Sequence, residues 1–339
     1  MTAGRLMLLD TAAMYFRAYY GLPTTLTAPD GTPVNAVRGL LDMIARLVTE
    51  FRPAGLVACW DDDWRPQWRV DLIPSYKAHR VGEPGEQGAD GGAPDVEVVP
   101  DPLTVQVPVI VEVLTTLGVP IVGTPGYEAD DVIGTLAATA TQPVDVVTGD
   151  RDLFQVIDDA RDVRVLSTVR GMRNLEVVTD AVLHAKYGVH AHQYADYAAL
   201  RGDASDGLPG VPGIGEKTAA ALVAEHGDLA GVLAAAADPA VPMAARLRGR
   251  LQDAADYLDR AQQVVAVVRD LDLPAFDPTI RVTDAGRRRM GQLAERWGLG
   301  ESATRVAAAL GAAPDRVAAP EVAGAPPPQD PWAPTAAPR

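Results

Sequence analysis

Short apolar runs alternate with longer stretches of helical periodicity through the first half of the chain. The runs are too short for typical helices and are rich in Leu, Val and Ile, so they predict buried strands. The predicted strands are 6–9, 55–60, 119–122, 144–148 and 163–166, and the predicted helices are 34–51, 103–118, 128–140 and 152–157. Strands that alternate with helices indicate βαβ units and a mainly parallel α/β sheet.

The second half of the chain has a different pattern, because strand signals fade from about residue 180 and short helical stretches take over. Residues 82–102 are rich in Gly, Pro and acids, which predicts a mobile insertion. The Pro- and Ala-rich end of the chain has no periodicity and predicts disorder. The predicted organisation is an α/β core at 1–175 that includes a variable segment at about 64–102, a helical region at 176–311 and a disordered tail at 312–339.

Composition narrows the class of protein without identifying it. The 339 residues are 47% hydrophobic and 22% charged, as in globular chains, and we expect neither a secretory signal nor a membrane span. The single cysteine, Cys59, excludes an intramolecular disulfide and fits a reducing cytoplasm. A formal net charge of −15 opposes nucleic-acid binding only weakly, because bound cations neutralise clustered acids.

Carboxylates follow four of the predicted strands. They are Asp10, Asp61, Asp62, Asp63, Glu128, Asp130, Asp131, Asp150 and Asp152. One such acid alone usually caps a helix. The carboxyl ends of parallel strands meet at one edge of a sheet, however, so we expect these acids to converge. Crowded carboxylates need protons or divalent cations, oxygen ligands favour Mg²⁺ or Mn²⁺, and a pair of such ions is suited to phosphodiester cleavage.

The stretch GYEADD, residues 126–131, carries three of these acids at the predicted start of a helix. On an ideal helix Glu128 and Asp131 lie about 60° apart, while Asp130 points well away from them. We therefore expect Glu128 at the strand–helix junction and Asp130 nearest the shared metal centre.

A second feature is the glycine-rich stretch GVPGIGEKT, residues 210–218. It nearly matches the P-loop pattern, but Glu216 separates Gly215 from Lys217 and no predicted strand precedes it. The stretch is better interpreted as a tight turn between two helices, whose glycines let the backbone approach a phosphate while Lys217 contacts it. Two more acids lie just upstream, in a turn that would be typical of solvent-exposed loops if it stood alone: Asp203 and Asp206.

Three motifs together carry a resemblance to a known family: GYEADD, TGDRDLFQ and GDASDGLPGVPGIGEKTA, in this order. Over roughly residues 5–280 the chain resembles the 5′-nuclease, or flap endonuclease, family, in particular bacterial 5′–3′ exonucleases and the 5′-nuclease domain of DNA polymerase I. The resemblance implies a PIN-like core with a helical arch, followed by an α-helical helix–three-turn–helix DNA-binding region at 203–227. It also implies a monomeric, cytoplasmic, nucleoid-associated nuclease. Such an enzyme cleaves DNA or RNA primers at 5′ flaps, nicks and single-stranded 5′ ends during replication and repair.

The resemblance further implies roles for individual residues. Two or more Mg²⁺ or Mn²⁺ ions are implied at Asp10, Asp61, Asp63, Glu128, Asp130, Asp131, Asp150, Asp152, Asp203 and Asp206. The stretch YKAHR resembles the family's Y-K-x-x-R at the arch, which implies that Lys77 and Arg80 steer the scissile phosphate; Arg17, seven residues after Asp10, is implied to contact it as well. The residues implied to bind DNA, with K⁺ at the glycine hairpin, are Tyr76, Gly213, Ile214, Gly215 and Lys217.

The identity of the acid after the second strand stays open at this point. Counting back from Tyr76 favours Asp62, whereas the end of the apolar run at Trp60 favours Asp61, with Asp63 facing the same side. We expect Asp61 first and Asp63 second.

Two other functions are compatible with parts of the sequence. A DNA-binding module that keeps the hairpin but not the chemistry would bind flaps in EDTA without cleaving them. A haloacid-dehalogenase-like phosphatase needs D-x-D after the first strand, where this chain has Asp10, Thr11 and Ala12. The apparently full set of acids favours the nuclease over both.

Overall fold

The computed structural model describes residues 4–82, 97 and 99–311. Its centre is a six-stranded sheet in the order β3-β2-β1-β4-β5-β6, in which only β6 runs antiparallel to its neighbour. The strands are β1 Leu6–Asp10, β2 Gly55–Cys59, β3 Ile121–Val122, β4 Val144–Thr148, β5 Val163–Ser167 and β6 Glu176–Val178. The mainly parallel sheet agrees with the prediction.

Strand register brings the ends of the parallel strands to one edge. Asp10 at the end of β1 pairs with Cys59 at the end of β2, and Cys59 pairs in turn with Val122 of β3. On the other side, Thr148 at the end of β4 pairs with Ser167 of β5. The residues that follow these strands therefore start from the same edge of the sheet.

Helices cover both faces of the sheet and form the second region. They are α1 Thr11–Gly21, α2 Asn35–Phe51, α3 Gln67–Leu72, α4 Asp101–Thr104, α5 Val107–Thr116, α6 Ala129–Thr139, α7 Asp180–Tyr187, α8 Tyr194–Arg201, α9 Glu216–His226, α10 Leu229–Ala237, α11 Ala245–Asp253, α12 Ala255–Val265, α13 Asp284–Arg296 and α14 Gly300–Gly311. Short 3₁₀ turns lie at Ala78–Arg80, Asp152–Val156, Met172–Asn174, Ala191–Gln193 and Ala204–Asp206.

The pleat of β1 divides the core into two layers. Leu6 and Leu8 point into a cluster that continues into the helical region, whereas Met7 and Leu9 point into a cluster built with α2, α5 and α14. Successive side chains of a strand point to opposite faces, so an all-apolar strand buried on both sides is expected at the centre of such a sheet. An ion pair of 2.8 Å between Arg305 and Asp42 joins α14 to α2.

The structure corrects several predicted elements. The helix predicted at 103–118 is divided into α4 and α5, and Pro108 lies in the first turn of α5, where a missing N–H costs little. The predicted helix at 152–157 is a 3₁₀ turn, and α1 and β6 were not predicted. Of the predicted insertion, residues 83–96 and 98 lie outside the described residues, as does the predicted tail at 312–339.

No single helix within 4–82 and 99–311 is long and apolar enough to cross a membrane. Only α9 and α10 pass that test together, and they are bent by 85° relative to each other.

Candidate active site

Asp10 stands at the centre of the acidic edge. Its side chain caps α1 by accepting a hydrogen bond of 3.1 Å from the N–H of Ala13, and its other oxygen accepts one of 2.6 Å from the hydroxyl of Thr148. Burial raises the pKa of Asp10 to about 7, and the nearby charges of Asp61 and Asp150 add to the effect. Asp10 is thus an N-cap residue that lies close to other carboxylates.

The acids of GYEADD separate at the start of α6, as helix geometry predicts. Glu128 is the N-cap, and it accepts hydrogen bonds of 2.6 Å from Arg69 and 2.7 Å from the hydroxyl of Tyr76. Lys77 also forms a short ion pair with Glu128. Burial lowers the pKa of Lys77, but Glu128, Tyr76 and Asp206 together raise it well above the ordinary value, so the ammonium stays charged.

Asp131 has a structural role in this arrangement. Arg69 donates two hydrogen bonds to its carboxylate, at 2.8 and 2.7 Å, and the N–H of Val268 donates a third at 2.9 Å. The N–H of Glu128 lies 3.3 Å from it, and the side chain is fully buried. Because protein donors occupy both oxygens, this geometry differs from the expectation that Asp131 is a metal ligand.

Asp130, unlike Asp131, has mainly like charges around it. Burial raises its pKa well above the ordinary value, and the charges of Asp150, Asp10 and Glu128 raise it further, against a smaller opposing effect of Lys77. Asp130 therefore belongs to the group of acids around Asp10. Its expected position nearest the metal centre stays a prediction that this placement supports.

A chain of hydrogen bonds connects the acids after β4. The hydroxyl of Thr148, which donates to Asp10, accepts the N–H of Asp150 at 2.8 Å, and the carboxylate of Asp150 accepts the N–H of Asp152 at 2.8 Å. Asp152 is only 8% exposed, and its Oδ1 has no hydrogen-bond partner among the residues that the structure describes. Burial raises its pKa well above the ordinary value, and Asp150 and Asp206 contribute.

The turn with Asp203 and Asp206 joins this edge from the helical region. Asp203 accepts hydrogen bonds from the N–H of Ser205 at 2.8 Å and from Arg201 at 3.0 Å. Burial raises the pKa of Asp206 to about 6, while the nearby Lys77 lowers it.

The same turn docks on the base of the predicted arch. The N–H of Lys77 donates to the carbonyl of Asp206 at 2.9 Å, and the hydroxyl of Ser75 donates to the carbonyl of Gly207 at 2.8 Å. Gly207 has a φ of +70°, and a Cβ there would overlap the carbonyl oxygen of Ser75. The close approach therefore requires glycine.

The three acids after β2 have different surroundings. Asp61 accepts a hydrogen bond of 2.8 Å from the N–H of Ala129, and burial raises its pKa. Asp63 accepts a local hydrogen bond of 3.2 Å from the N–H of Arg65, and Asp62 is exposed. Asp61 is thus the member that touches α6, which supports the order in which we expected these residues.

The implied phosphate-steering cations lie beside acids. Arg80 forms an ion pair of 3.0 Å with Asp206 and donates to the carbonyl of Ser205 at 2.7 Å. Arg17 is half-buried and lies next to Gly149, and burial lowers the pKa of its guanidinium. Tyr76 is only 4% exposed, its ring packs in the core and its hydroxyl donates to Glu128, a placement that differs from the expectation that Tyr76 binds DNA.

The predicted glycine hairpin is present between α8 and α9. Gly213 has a φ of +78°, and a Cβ there would overlap the guanidinium of Arg250. Gly215 is the N-cap of α9 and has open space around it, and Lys217 is exposed. Ile214 is only 3% exposed and its side chain packs in the core, where it anchors the hairpin; the expected DNA contact would therefore come from its backbone.

Three residues of this region were not found from the sequence. Arg69 pairs with both Glu128 and Asp131, Thr148 bridges two strand-end acids, and Glu97 lies near Arg80, with its pKa raised by burial. A buried Arg has no sequence signal that separates it from a surface Arg. The sequence signal for Thr148 was its position at the end of a predicted strand, two residues before Asp150 in TGDRD.

The donor set fits hard divalent cations, although no closed cage is present. Within the described part of the chain, no three carboxylate, imidazole or thiolate side chains converge as a ready metal cage. The acids instead line one edge, raise one another's pKa, and leave Oδ1 of Asp152 buried without a partner. These ligands are all carboxylate oxygens, and too few of the described Lys and Arg side chains balance their charge. Mg²⁺ and Mn²⁺ are the ions that bind and neutralise such sites.

Comparison with known proteins agrees with this geometry. Residues 5–188 match the family described as 5′-3′ exonuclease, N-terminal resolvase-like domain, and residues 189–286 match 5′-3′ exonuclease, C-terminal SAM fold. A 5′-3′ exonuclease of Streptomyces coelicolor is 58% identical over 304 residues, which cover 90% of this chain and 99% of that protein. One of Mycobacterium tuberculosis is 50% identical, with 91% and 98% covered.

Solved structures show the same fold at low identity. A mutant of T5 5′-exonuclease superposes with a TM-score of 0.53 at 14% identity, covering 91% of this chain and 100% of that chain. Flap endonuclease-1 from Methanococcus jannaschii gives 0.54 at 15%, covering 91% and 93%. The predicted α/β core followed by a helical region is thereby confirmed. The chain belongs to the 5′–3′ exonuclease family.

Proposed function

We propose that the protein is a metal-dependent 5′–3′ exonuclease and flap endonuclease. It hydrolyses phosphodiester bonds of DNA at 5′ ends and at junctions of single strand and duplex, and leaves 5′-phosphate products. The observation that carries this proposal is the group of acids at one sheet edge, in which Asp10 and Asp152 are buried and Asp152 keeps an unpartnered oxygen. Membership in the 5′–3′ exonuclease family supports the same reaction.

The residues that would hold divalent ions are those whose carboxylates face one another. They are Asp10, Asp61, Asp130, Asp150, Asp152, Asp203 and Asp206. Two Mg²⁺ or Mn²⁺ ions held by these residues would supply an activated water and charge stabilisation for the leaving oxygen. Glu128 sets the start of α6 and holds Lys77, so it acts on the site through its neighbours.

The cations beside the acids position the substrate. Lys77 and Arg80 lie at the base of the predicted arch, and Arg17 lies beside Gly149 at the end of β4. Each of them is a donor to which a phosphate oxygen can bind at the acidic edge. They offset the negative charge of a nucleic acid that must approach carboxylates.

The glycine hairpin provides a second contact with the substrate. The exposed backbone at Gly213 and Gly215 and the side chain of Lys217 bind the phosphate backbone of the duplex, with K⁺ at the turn. The proposed partners are DNA with a 5′ flap, a nick or a single-stranded 5′ end, and RNA-primed duplex. The protein works as a monomer at nucleoid DNA in the cytoplasm, with a nuclease core at 1–175 and a DNA-gripping region at 176–311.

A cleavage assay tests the proposal. The protein is mixed with a 5′-labelled flap duplex and Mg²⁺, and an Asp130→Asn variant serves as the control. We expect cleavage near the junction by the wild type only. Flap binding in EDTA with no cleavage above the control would instead identify a DNA-binding module. Mapping of cuts on flap, nicked, gapped and RNA-primed duplexes then separates exonuclease from endonuclease activity.

A further inference from the structure

A cleft opens beside the acids that follow β4, and Asp150 is one of the residues that line it. It has a volume of about 570 Å³ and lies between the carboxyl edge of the sheet and the helical region. The acids Asp150 and Asp203 line this cleft together with three basic side chains, Arg151, Arg170 and Lys186. The volume is in the range of sites that hold a nucleotide-sized ligand.

The basic side chains of the cleft are available to a ligand. Arg170 is exposed and has no hydrogen bond or ion pair with any residue that the structure describes. Lys186 pairs with Glu176 at 2.7 Å but keeps 35% of its side chain exposed. Arg151 is 43% exposed, and its contact with Glu216 is long, at 3.8 Å. Ion pairs at the surface are weak, so these Lys and Arg side chains can leave the carboxylate and bind a phosphate instead.

The position of the cleft indicates which part of a substrate it meets. The turn Ala204–Asp206 stands between the cleft and the arch, because Arg80 binds Asp206 and the carbonyl of Ser205 while the residue Ser205 also lines the cleft. In the other direction, Arg151 reaches Glu216, the first residue of α9 after the glycine hairpin. The cleft therefore connects the acids with the hairpin.

We propose that this cleft binds the backbone of the cut strand on its duplex side, directly next to the scissile bond. Arg170, in the β5–β6 connection, contacts one phosphate, and Lys186, in α7, contacts another. The inference rests on the proposed function and adds a phosphate-binding subsite to it. It assigns the cleft to the duplex part of the substrate.

Salt dependence of binding provides the first test. All proteins carry Asp130→Asn and are kept in EDTA so that the flap duplex stays uncut, and the dissociation constant is measured over a series of KCl concentrations. Loss of one phosphate contact reduces the slope of log K against log salt by about 0.9. We expect this reduction for Arg170→Gln and for Lys186→Gln. Arg46→Gln is the matched control, because Arg46 is an exposed arginine that pairs only with Glu50 on α2.

Neutral phosphates locate the contact on the substrate. One duplex carries a methylphosphonate just inside the duplex and another carries it just inside the flap. With the duplex-side methylphosphonate, the contact is already lost, so we expect Arg170→Gln to cause no further loss of affinity. With the flap-side methylphosphonate, we expect Arg170→Gln to weaken binding as much as it does with the unmodified duplex. The reverse result would place the flap in the cleft and overturn the proposal.

The outcomes separate this proposal from the proposed function. If Arg170→Gln and Lys186→Gln bind with the slope of Arg46→Gln while the wild type cleaves the flap duplex, the subsite is wrong and the nuclease stands. If the wild type neither binds nor cleaves, both are wrong. Thermal unfolding of each variant confirms that a changed slope is not caused by loss of the fold.

Discussion

Two groups of acids at the same sheet edge have opposite surroundings. Glu128 and Asp131, the paired acids, are held by Arg69, and Glu128 also by Lys77. The second group, the crowded acids Asp10, Asp130, Asp150 and Asp152, faces mainly like charges, and the pKa of three of its members, Asp10, Asp130 and Asp152, is raised by burial. The paired acids thus have protein counter-charges, whereas the crowded acids lack them within the described part of the chain.

The first turn of α6 creates this difference within one motif. Residues 128 and 131 lie on one side of the helix start, where α3 brings Arg69 between them, and Asp130 turns to the side of Asp10. Proximity in sequence therefore does not identify which acids do chemistry. What identifies them is whether the protein supplies a counter-charge.

The largest expected effect comes from breaking the paired group. Arg69→Leu leaves the buried carboxylates of Asp131 and Glu128 without their main counter-charge, since Arg69 is 2% exposed and binds both. Removal of one partner of a buried ion pair costs about 3–5 kcal/mol in the free energy of unfolding. Urea denaturation measures the loss.

A double variant shows whether the cost comes from an uncompensated charge. Arg69→Leu combined with Asp131→Leu removes both members of the main pair, so we expect it to be more stable than Arg69→Leu alone. Equal or lower stability of the double variant would show that Asp131 is not the partner that matters.

The next effect tests the crowded group through activity. Asp130→Asn removes a carboxylate that faces Asp10 and Asp150 but leaves its volume unchanged. We expect flap cleavage to fall by about 10²- to 10³-fold, the size of effect found when one charge-stabilising group is removed from an active site. The free energy of unfolding should not fall, because a repulsive charge is removed.

Asp62→Asn is the matched control for that variant. Asp62 is exposed and close in sequence to the candidate ligand Asp61. We expect its cleavage rate to stay near that of the wild type. A loss as large as that of Asp130→Asn would instead identify Asp62 as the ligand after β2.

The third effect is a pH dependence of stability in EDTA. The folded state raises the pKa of Asp10 to about 7 and that of Asp206 to about 6, above the values of the unfolded chain. Between about pH 4 and pH 7 the folded state therefore binds more protons, so its stability falls as pH rises, by at most about 1.4 kcal/mol per pH unit for each group. Thermal unfolding at several pH values measures this slope.

Added Mg²⁺ and the Asp10→Asn variant sharpen that measurement. A bound cation replaces the protons, so the stability should become nearly independent of pH in this range when Mg²⁺ is present. Asp10→Asn should have a smaller slope in EDTA. Stability that rises with pH in EDTA would contradict the crowded state of these acids.

The sequence allowed the sheet, the strand ends and the hairpin to be predicted, because each depends on a local pattern. Apolar runs fixed β1, β2 and β4 almost to the residue, and GYEADD fixed the start of α6. Apart from the divided helix at 103–118, the 3₁₀ turn at 152–157 and the missed α1 and β6, the differences concern side-chain partners. Tyr76 and Ile214 belong to motifs expected at the DNA surface, yet both are buried. Burial depends on how α3 and the hairpin pack against distant helices, and no local pattern reports that packing.

The smallest expected effect separates burial of Tyr76 from DNA contact. Tyr76→Phe removes the hydroxyl that donates to Glu128 at 2.7 Å, which should lower the free energy of unfolding by about 1–3 kcal/mol. Tyr20→Phe is the control, because the Tyr20 side chain is 71% exposed. If Tyr76 only supports Glu128, the dissociation constant for a flap duplex in EDTA should match that of the control. A weaker affinity at unchanged stability would mean that the Tyr76 hydroxyl contacts DNA. The paired acids would then be more accessible to the substrate than the structure shows.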